Sequence, residues 1–186
     1  MLINGERRMS QSASQNVDPT EYLGDALQGA IDDFNQFQVD DKLALLYYVY
    51  EKMGSSITPA APEAADPELA PMLLNDFYQL SHQDQLQVMR DIASRADTEY
   101  SRDYGALGEN NQLLVWYAWA VGMGENVVGM PAGHSASDAI GNLLKRFEAF
   151  EFEQQISLLR ELASQMGHTD VKPIPSQAET GKTASL

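Results

Sequence analysis

Apolar residues recur three and four positions apart over most of the chain. Tyr22, Leu23, Ala26, Leu27, Ala30, Ile31 and Phe34 make the first such stripe, the mark of a helix with one buried face. A second stripe, Leu43, Leu46, Val49, Tyr50 and Met53, follows Asp40 and stops at Gly54. Asp40 is a good N-cap, and glycine is the common residue just past a helix end. Asp66-Pro67 reads as a cap with proline in the first turn, opening a helix through Leu69, Met72, Leu73, Phe77 and Leu80. Ser81 with Asp84 forms a weak capping box before Leu86, Met89, Ile92 and Ala93. A short helical turn is predicted over 97–105, and longer helices over 110–123, 136–149 and 151–166, with Gly167 ending the last. No segment alternates at period two for long enough to argue a sheet. The pattern predicts an all-α fold, with an arm at 1–19, a helical domain at 20–167 and a mobile Pro- and Ser-bearing tail at 168–186.

Four segments share one spacing. They begin at Phe34, Phe77, Tyr104 and Phe147, and each continues with apolar or aromatic residues at +3, +6, +3, +3 and +4. The third lies 70 residues after the first, and the fourth 70 after the second. Leu73-Leu74-x-x-Phe77 meets Leu143-Leu144-x-x-Phe147 in the same register. This predicts a duplication with half-units at about 34–96 and 104–166. Two copies are too few for a solenoid, so two helical half-bundles packed on each other, with a seam between them, are expected.

The seam between equivalent helices collects aromatic residues: Tyr47, Tyr48 and Tyr50 from one half, Trp116, Tyr117 and Trp119 from the other. These are six of the chain's 16 aromatics. Methionines 53, 89, 123 and 130 add adaptable surface. Helical spacing alone leaves two readings open, an ordinary aromatic core or the wall of a site for an extended apolar ligand.

Composition narrows the chemistry. The chain has 186 residues, no cysteine and three histidines, which excludes disulfides, thiol nucleophiles and cysteine zinc sites. His82, His134 and His168 are far apart and fit no metal-ligand spacing. No Gly-x-Ser-x-Gly or phosphate-binding loop is present. The formal charge is −15, from 27 acids and 12 bases, which argues against nucleic acid as a partner. Residues 21–100 carry −11 of it, from 15 acids and 4 bases. No apolar run approaches the ~20 residues that span a bilayer. A cytoplasmic, non-enzymatic protein is expected.

Several segments together resemble the N-terminal domain of the orange carotenoid protein. They are Phe34-Asn35-Gln36, Leu43-Ala44-Leu45-Leu46, Tyr50-x-x-Met53-Gly54, Ile57-Thr58-x-Ala60-Ala61-Pro62, Arg95-x-Asp97-Thr98, Asn110-x-x-Leu113-x-x-Trp116-Tyr117 and Gln154-Gln155-Ile156-x-x-Leu159-Arg160. The resemblance runs from about Ala26 to Gly167. With no second domain following, the chain is similar to a helical carotenoid protein, a single-domain relative.

The resemblance implies an all-α fold of two interleaved four-helix bundles related by a pseudo-twofold, with a keto-carotenoid, canthaxanthin or echinenone, held in the ligand channel between them. At matching positions it implies pigment contacts from Leu43, Leu46, Tyr47, Tyr50, Met89, Asn110, Leu113, Trp116, Tyr117, Met123, Met130, Pro131, His134 and Ile156. Arg160 falls where the family has an arginine that contacts a sensory domain or the phycobilisome; an ordinary surface ion pair is the other reading. Three positions depart from the family pattern. Tyr47 stands where tryptophan is usual, His134 replaces a tyrosine at the channel rim, and Arg90 replaces a small cysteine beside Met89. The function implied is photoprotection, by quenching singlet oxygen or excited phycobilisomes. The alternative is a pigment-free or pigment-shuttling adaptor that docks on antenna complexes or a sensory partner. Partners implied are carotenoid, the phycobilisome and a carotenoid donor protein resembling the family's C-terminal domain. Association with phycobilisomes or the thylakoid surface would follow.

Overall fold

A computed structural model describes residues 19–54 and 67–169. The expected arm, most of the expected tail, and the Ile57–Pro62 and Asp66 readings lie outside the described residues. Eight α-helices are present among those described: α1 Pro19–Gln36, α2 Val39–Met53, α3 Pro71–Leu74, α4 His82–Ser94, α5 Glu99–Gly105, α6 Glu109–Val121, α7 Asp138–Glu148 and α8 Phe152–Ser164. Short 3₁₀ turns at Pro67–Leu69 and Asp76–Gln79 flank α3. No strand occurs among the described residues, only a single bridge between Met123 and Val127.

The expected long helix from Pro67 to Leu80 is broken, and Pro71 is the reason. Proline lacks an N–H and bars the preceding residue from helical geometry. Ala70 accordingly sits at φ −129°. The chain escapes helix again at Asn75, at φ −128°, before the second 3₁₀ turn. Asp40 is not the N-cap of α2; Gln38 holds that place, and Asp40 lies in the first turn. Gly54 does follow α2, but in right-handed geometry at φ −59°. Its need for glycine is one of space: a Cβ there would lie 2.5 Å from the Tyr50 carbonyl oxygen and 2.8 Å from the Tyr50 ring. Ser81 does cap α4, its Oγ accepting from the Asp84 N–H at 3.2 Å.

The four repeated segments fold into four copies of one corner. In each, an aromatic residue ends a helix or turn: Phe34, Phe77, Tyr104 and Phe147, all 0% exposed. Three residues later an N–H closes on that residue's carbonyl, from Phe37, Leu80, Leu107 and Phe150, at 3.1 to 3.2 Å. The next residue is extended at ψ 154° to 158° and starts the following helix. Eight positions after the aromatic, a side chain reaches back. Gln85 Nε2 donates to Phe77 O at 3.3 Å, Gln112 to Tyr104 O at 3.2 Å and Gln155 to Phe147 O at 3.2 Å. In the first corner Lys42 stands there instead, its ammonium 5.3 Å from the Phe34 ring centroid.

Helices α1, α2, α7 and α8 form one bundle and α3 to α6 the other. The 70-residue shift carries α1 onto α5, α2 onto α6, α3 onto α7 and α4 onto α8, so it exchanges the bundles. Packing pairs obey it: α2 with α4 and α6 with α8, α1 with α7 and α5 with α3, α1 with α8 and α5 with α4, α2 with α7 and α6 with α3. Helices α2 and α6 also meet, as equivalents must on the seam. The chain's two ends therefore build one bundle around a central segment that builds the other.

Two buried polar networks tie corners to the core. Gln85, 1% exposed, also donates to Asn126 O at 2.9 Å and accepts from the Val128 N–H at 2.8 Å. Tyr104 donates its hydroxyl to Ala163 O at 2.7 Å and accepts from the Trp116 indole N–H at 2.8 Å. Burial pushes the Tyr104 phenol far above the ordinary tyrosine range, with the Trp116 N–H opposing. Tyr78 and Tyr100 are also pushed up by burial.

Gln85→Leu removes a partner from the Asn126 carbonyl and the Val128 N–H, and the second of two donors from the Phe77 carbonyl, which keeps the Leu80 N–H. It is expected to cost about 3 kcal/mol, read as a lower urea midpoint. Gln155→Leu, on a half-buried side chain serving Phe147 O and Phe150 O, should cost less. Equal losses would contradict the order of burial. The Tyr104 shift also has a pH consequence. A folded pKa raised above the unfolded value leaves stability intact below about pH 10, the unfolded tyrosine value. Above it, the unfolded chain loses its proton first and stability falls as pH rises. Tyr104→Phe should cost about 2 kcal/mol at neutral pH and show a shallower alkaline decline in thermal melts.

Candidate functional site

A cavity of about 350 Å³ lies between the bundles. One wall is α2, which faces it along its length from Asp40 to Gly54, a rise of about 21 Å. Leu86, Met89 and Arg90 of α4 and Leu159 of α8 contribute, and α6 faces it from Leu113 to Met123. The segment Val128 to Pro131, with His134, forms the remaining side. That volume lies within the usual range for small-molecule sites.

The wall is built by the repeat. In α2 the positions that face the cavity, Leu43, Leu46, Tyr47 and Tyr50, share one helical face at i, i+3, i+4 and i+7. On α6 the duplicated positions are Leu113, Trp116, Tyr117 and Ala120, so the two faces oppose each other across the pseudo-twofold. Tyr50 meets Tyr117 edge to face, with centroids 5.9 Å apart. Trp116 packs edge to face on Trp119 at 5.3 Å. Trp119 stacks on Phe77 at 4.1 Å and donates its indole N–H to Leu73 O at 3.0 Å. The aromatic wall is fixed from behind, because both indole N–H groups are spent on the core.

The irregular side is held at both ends. After α6, Val127 N–H bonds to Gly122 O at 3.0 Å and Gly124 N–H to Val127 O at 2.9 Å. Gly124 sits at φ +85°, in the left-handed region that favours glycine. Gln85 then clamps Asn126 and Val128 from below. At the far end His134 stacks on Tyr48, with centroids 6.0 Å apart, and its Nδ1 lies 2.9 Å from the Tyr48 hydroxyl. A second, more open depression shares Tyr47, Tyr50, Ala120, Met123, Gly129 and Met130 with the cavity and adds Glu51, Val121 and Gly124. Tyr47 Oη lies there within 3.4 Å of Glu51; burial and Glu51 hold its phenol above the ordinary range.

At the N-terminal end of α2 the cavity meets a charged pair. Arg90 Nε and one terminal nitrogen donate to the two oxygens of Asp40 at 2.8 and 2.9 Å. The hydrogen bond to Arg90 holds the Asp40 carboxyl below its usual value, and the same bond raises Arg90. The pair is ionised and bidentate.

Of the fourteen positions named from sequence, twelve line the cavity: Leu43, Leu46, Tyr47, Tyr50, Met89, Leu113, Trp116, Tyr117, Met123, Met130, Pro131 and His134. Asn110, half-buried in the first turn of α6, and Ile156, buried on α8, are not among the lining residues. Lining residues that are not among those fourteen are Asp40, Ala44, Val49, Gly54, Leu86, Arg90, Trp119, Ala120, Val128, Gly129 and Leu159. Leu86 and Leu159 had a signal, since both are repeat positions. Arg160 is half-buried on α8, and its Nε is buried without a hydrogen-bond partner. It forms no ion pair among the described residues. No cluster of His, Asp or Glu among them could hold a metal, and no described helix is long and apolar enough to cross a membrane.

Residues 20–169 match the family model described as orange carotenoid protein, N-terminal. A Nostoc sp. (strain PCC 7120) protein, the orange carotenoid-binding domain-containing protein, is 43% identical over 145 residues, which cover 77% of this chain and 85% of that one. The orange carotenoid-binding protein of Synechocystis sp. is 33% identical over 158 residues, 84% of this chain and half of its own length. Among solved structures, the Anabaena (Nostoc) sp. PCC 7120 red carotenoid protein binding canthaxanthin superposes with a TM-score of 0.69 at 35% identity. That match covers 77% of this chain and 99% of the other. The two-bundle fold, its seam and these matches agree: the chain belongs to the family of orange carotenoid protein N-terminal domains.

Proposed function

We propose that this protein binds a keto-carotenoid of the canthaxanthin or echinenone type in the inter-bundle cavity and acts, without enzymatic turnover, in photoprotection. The observation that carries the reading is the cavity itself, elongated, apolar and aromatic, lying on the seam of a carotenoid-protein fold. Its residues fit such a pigment. Two opposed aromatic faces offer flat contact at low conformational cost, leucine and methionine fill the space between them, and the open depression beside Glu51 leaves room for an end of the ligand to emerge. When bound, the pigment supplies a conjugated polyene that takes up excitation energy, from singlet oxygen or excited antenna pigments, and releases it as heat. The chain's residues position it, keep water from it and carry it in solution. Ile156 and Asn110, which do not line the cavity, are assigned to its support.

Arg160 is proposed as a contact for the phycobilisome or for a carotenoid donor protein. A half-buried side chain that forms no ion pair among the described residues supports that reading. The proposed setting is the cytoplasm, at phycobilisomes or the thylakoid surface. A pigment-free adaptor on the same surfaces is the competing reading.

Expression in a host that makes canthaxanthin decides between them. The pigment reading expects a coloured protein with pigment extractable after purification; a colourless product supports the adaptor. Tyr50→Ala combined with Trp116→Ala is expected to abolish pigment retention while far-UV circular dichroism keeps its helical signature. An unchanged visible spectrum in that variant would remove the seam as the site. Adding pigmented protein to phycobilisomes should lower their fluorescence if quenching is its role.

A further inference from the structure

The charged pair at the end of the cavity is the feature that an apolar pigment sleeve does not explain. Asp40 and Arg90 are the oppositely charged residues in a lining otherwise made of aliphatic and aromatic groups, with His134 at the rim. They come from different helices, α2 and α4, and both carboxylate oxygens are engaged. A guanidinium carries five N–H donors. Two are given to Asp40 and three remain, on a residue that lines the cavity together with Leu43, Leu86 and Met89. The side chain of Arg90 is 40% exposed, so these donors are reachable. Two other polar groups of the wall already have partners. Tyr47 is paired with Glu51 toward the opposite end of α2, and His134 Nδ1 with Tyr48.

We propose that Arg90 is the residue that recognises the oxygen on the ligand's terminal ring, and that Asp40 sets which oxygen it accepts. Arg90 donates to a neutral carbonyl. Asp40 holds the guanidinium plane in place and cancels its charge, so the site favours a ketone over a carboxylate. An unpaired arginine would favour the reverse, since charge-assisted bonds to an anion are the stronger. A ring oxygen also gains a hydrogen bond there that a hydrocarbon ligand cannot make. For echinenone, with one oxygenated ring, orientation follows: that ring lies at the Arg90 end and the other toward Glu51 and Val121.

This inference rests on the carotenoid reading, and the test separates the two. The full chain, Arg90→Met and Asp40→Asn are each offered canthaxanthin, β-carotene and crocetin, a polyene ending in carboxylates. Far-UV circular dichroism checks that each variant is folded. The wild type is expected to retain canthaxanthin at least about tenfold better than β-carotene, a difference within what one well-placed donor supplies. Arg90→Met, similar in length and apolar, should lose that preference while binding β-carotene no more weakly. The carbonyl stretch of bound canthaxanthin, read by infrared or Raman spectroscopy, should lie at lower frequency in the wild type and rise in Arg90→Met. Asp40→Asn should gain affinity for crocetin. A wild type that binds none of the three would end the carotenoid reading itself. Binding of canthaxanthin with an unchanged preference and carbonyl frequency in Arg90→Met would overturn the inference alone. An unchanged crocetin affinity in Asp40→Asn would overturn the role given to Asp40.

Discussion

Where a helix turns back inside a packed core, its last carbonyls lose their intrahelical donors and must find others. Three of the four corners meet this demand in the same way. The carbonyls of Phe77, Tyr104 and Phe147 each accept from a backbone N–H three residues on and from a glutamine side chain eight residues on. A carbonyl has two lone pairs, and both are used. The glutamine belongs to the next helix, so satisfying the carbonyl also fixes the angle at which that helix leaves. The clamps thus fix the directions of α4, α6 and α8, which with α2 are the four helices that enclose the cavity.

Interleaving gives those directions their consequence. Had each 70-residue half folded on its own, its apolar stripe would close on itself. Because the duplication exchanges the bundles, α2 and α8 face α4 and α6 instead, and the seam runs between elements from opposite ends of the chain. The faces that meet there are broad and aromatic, and rings on opposed helices hold the backbones apart. Trp116 and Trp119 cannot swing in to fill the space, since their N–H groups are committed to Tyr104 and Leu73. An open apolar cleft is what remains when large side chains are anchored from behind.

The sequence carried the helices well, and the repeat better, because both rest on spacing that survives substitution. Phe34, Phe77, Tyr104 and Phe147 were readable as equivalents before any contact was known. The break at Ala70-Pro71 was also written in the chain, but the apolar run from Leu69 to Leu80 concealed it. The glutamine clamps were not readable, since a glutamine eight residues from an aromatic has no periodic signature. In the site, the positions named from sequence are those with a family counterpart; Leu86 and Leu159, although at repeat positions, are not among them. Val128 and Gly129 were missed because an irregular segment has no period, and its path is decided by Gln85, some forty residues away. Asp40 was taken for a helix cap by local rules. Its partner Arg90, on another helix, gives it a different task, and such pairing appears only in three dimensions.

The chain has two tryptophans, and both are part of the cavity wall. Their rings lie 5.3 Å apart at centroid, close enough for excitation to pass from one to the other. Nearly all of the protein's ultraviolet emission therefore originates at the edge of a single cleft. Anything with a conjugated system that settles there lies against both emitters at once. The molecule carries its own optical gauge of occupancy, placed by the same corners that open the space it measures.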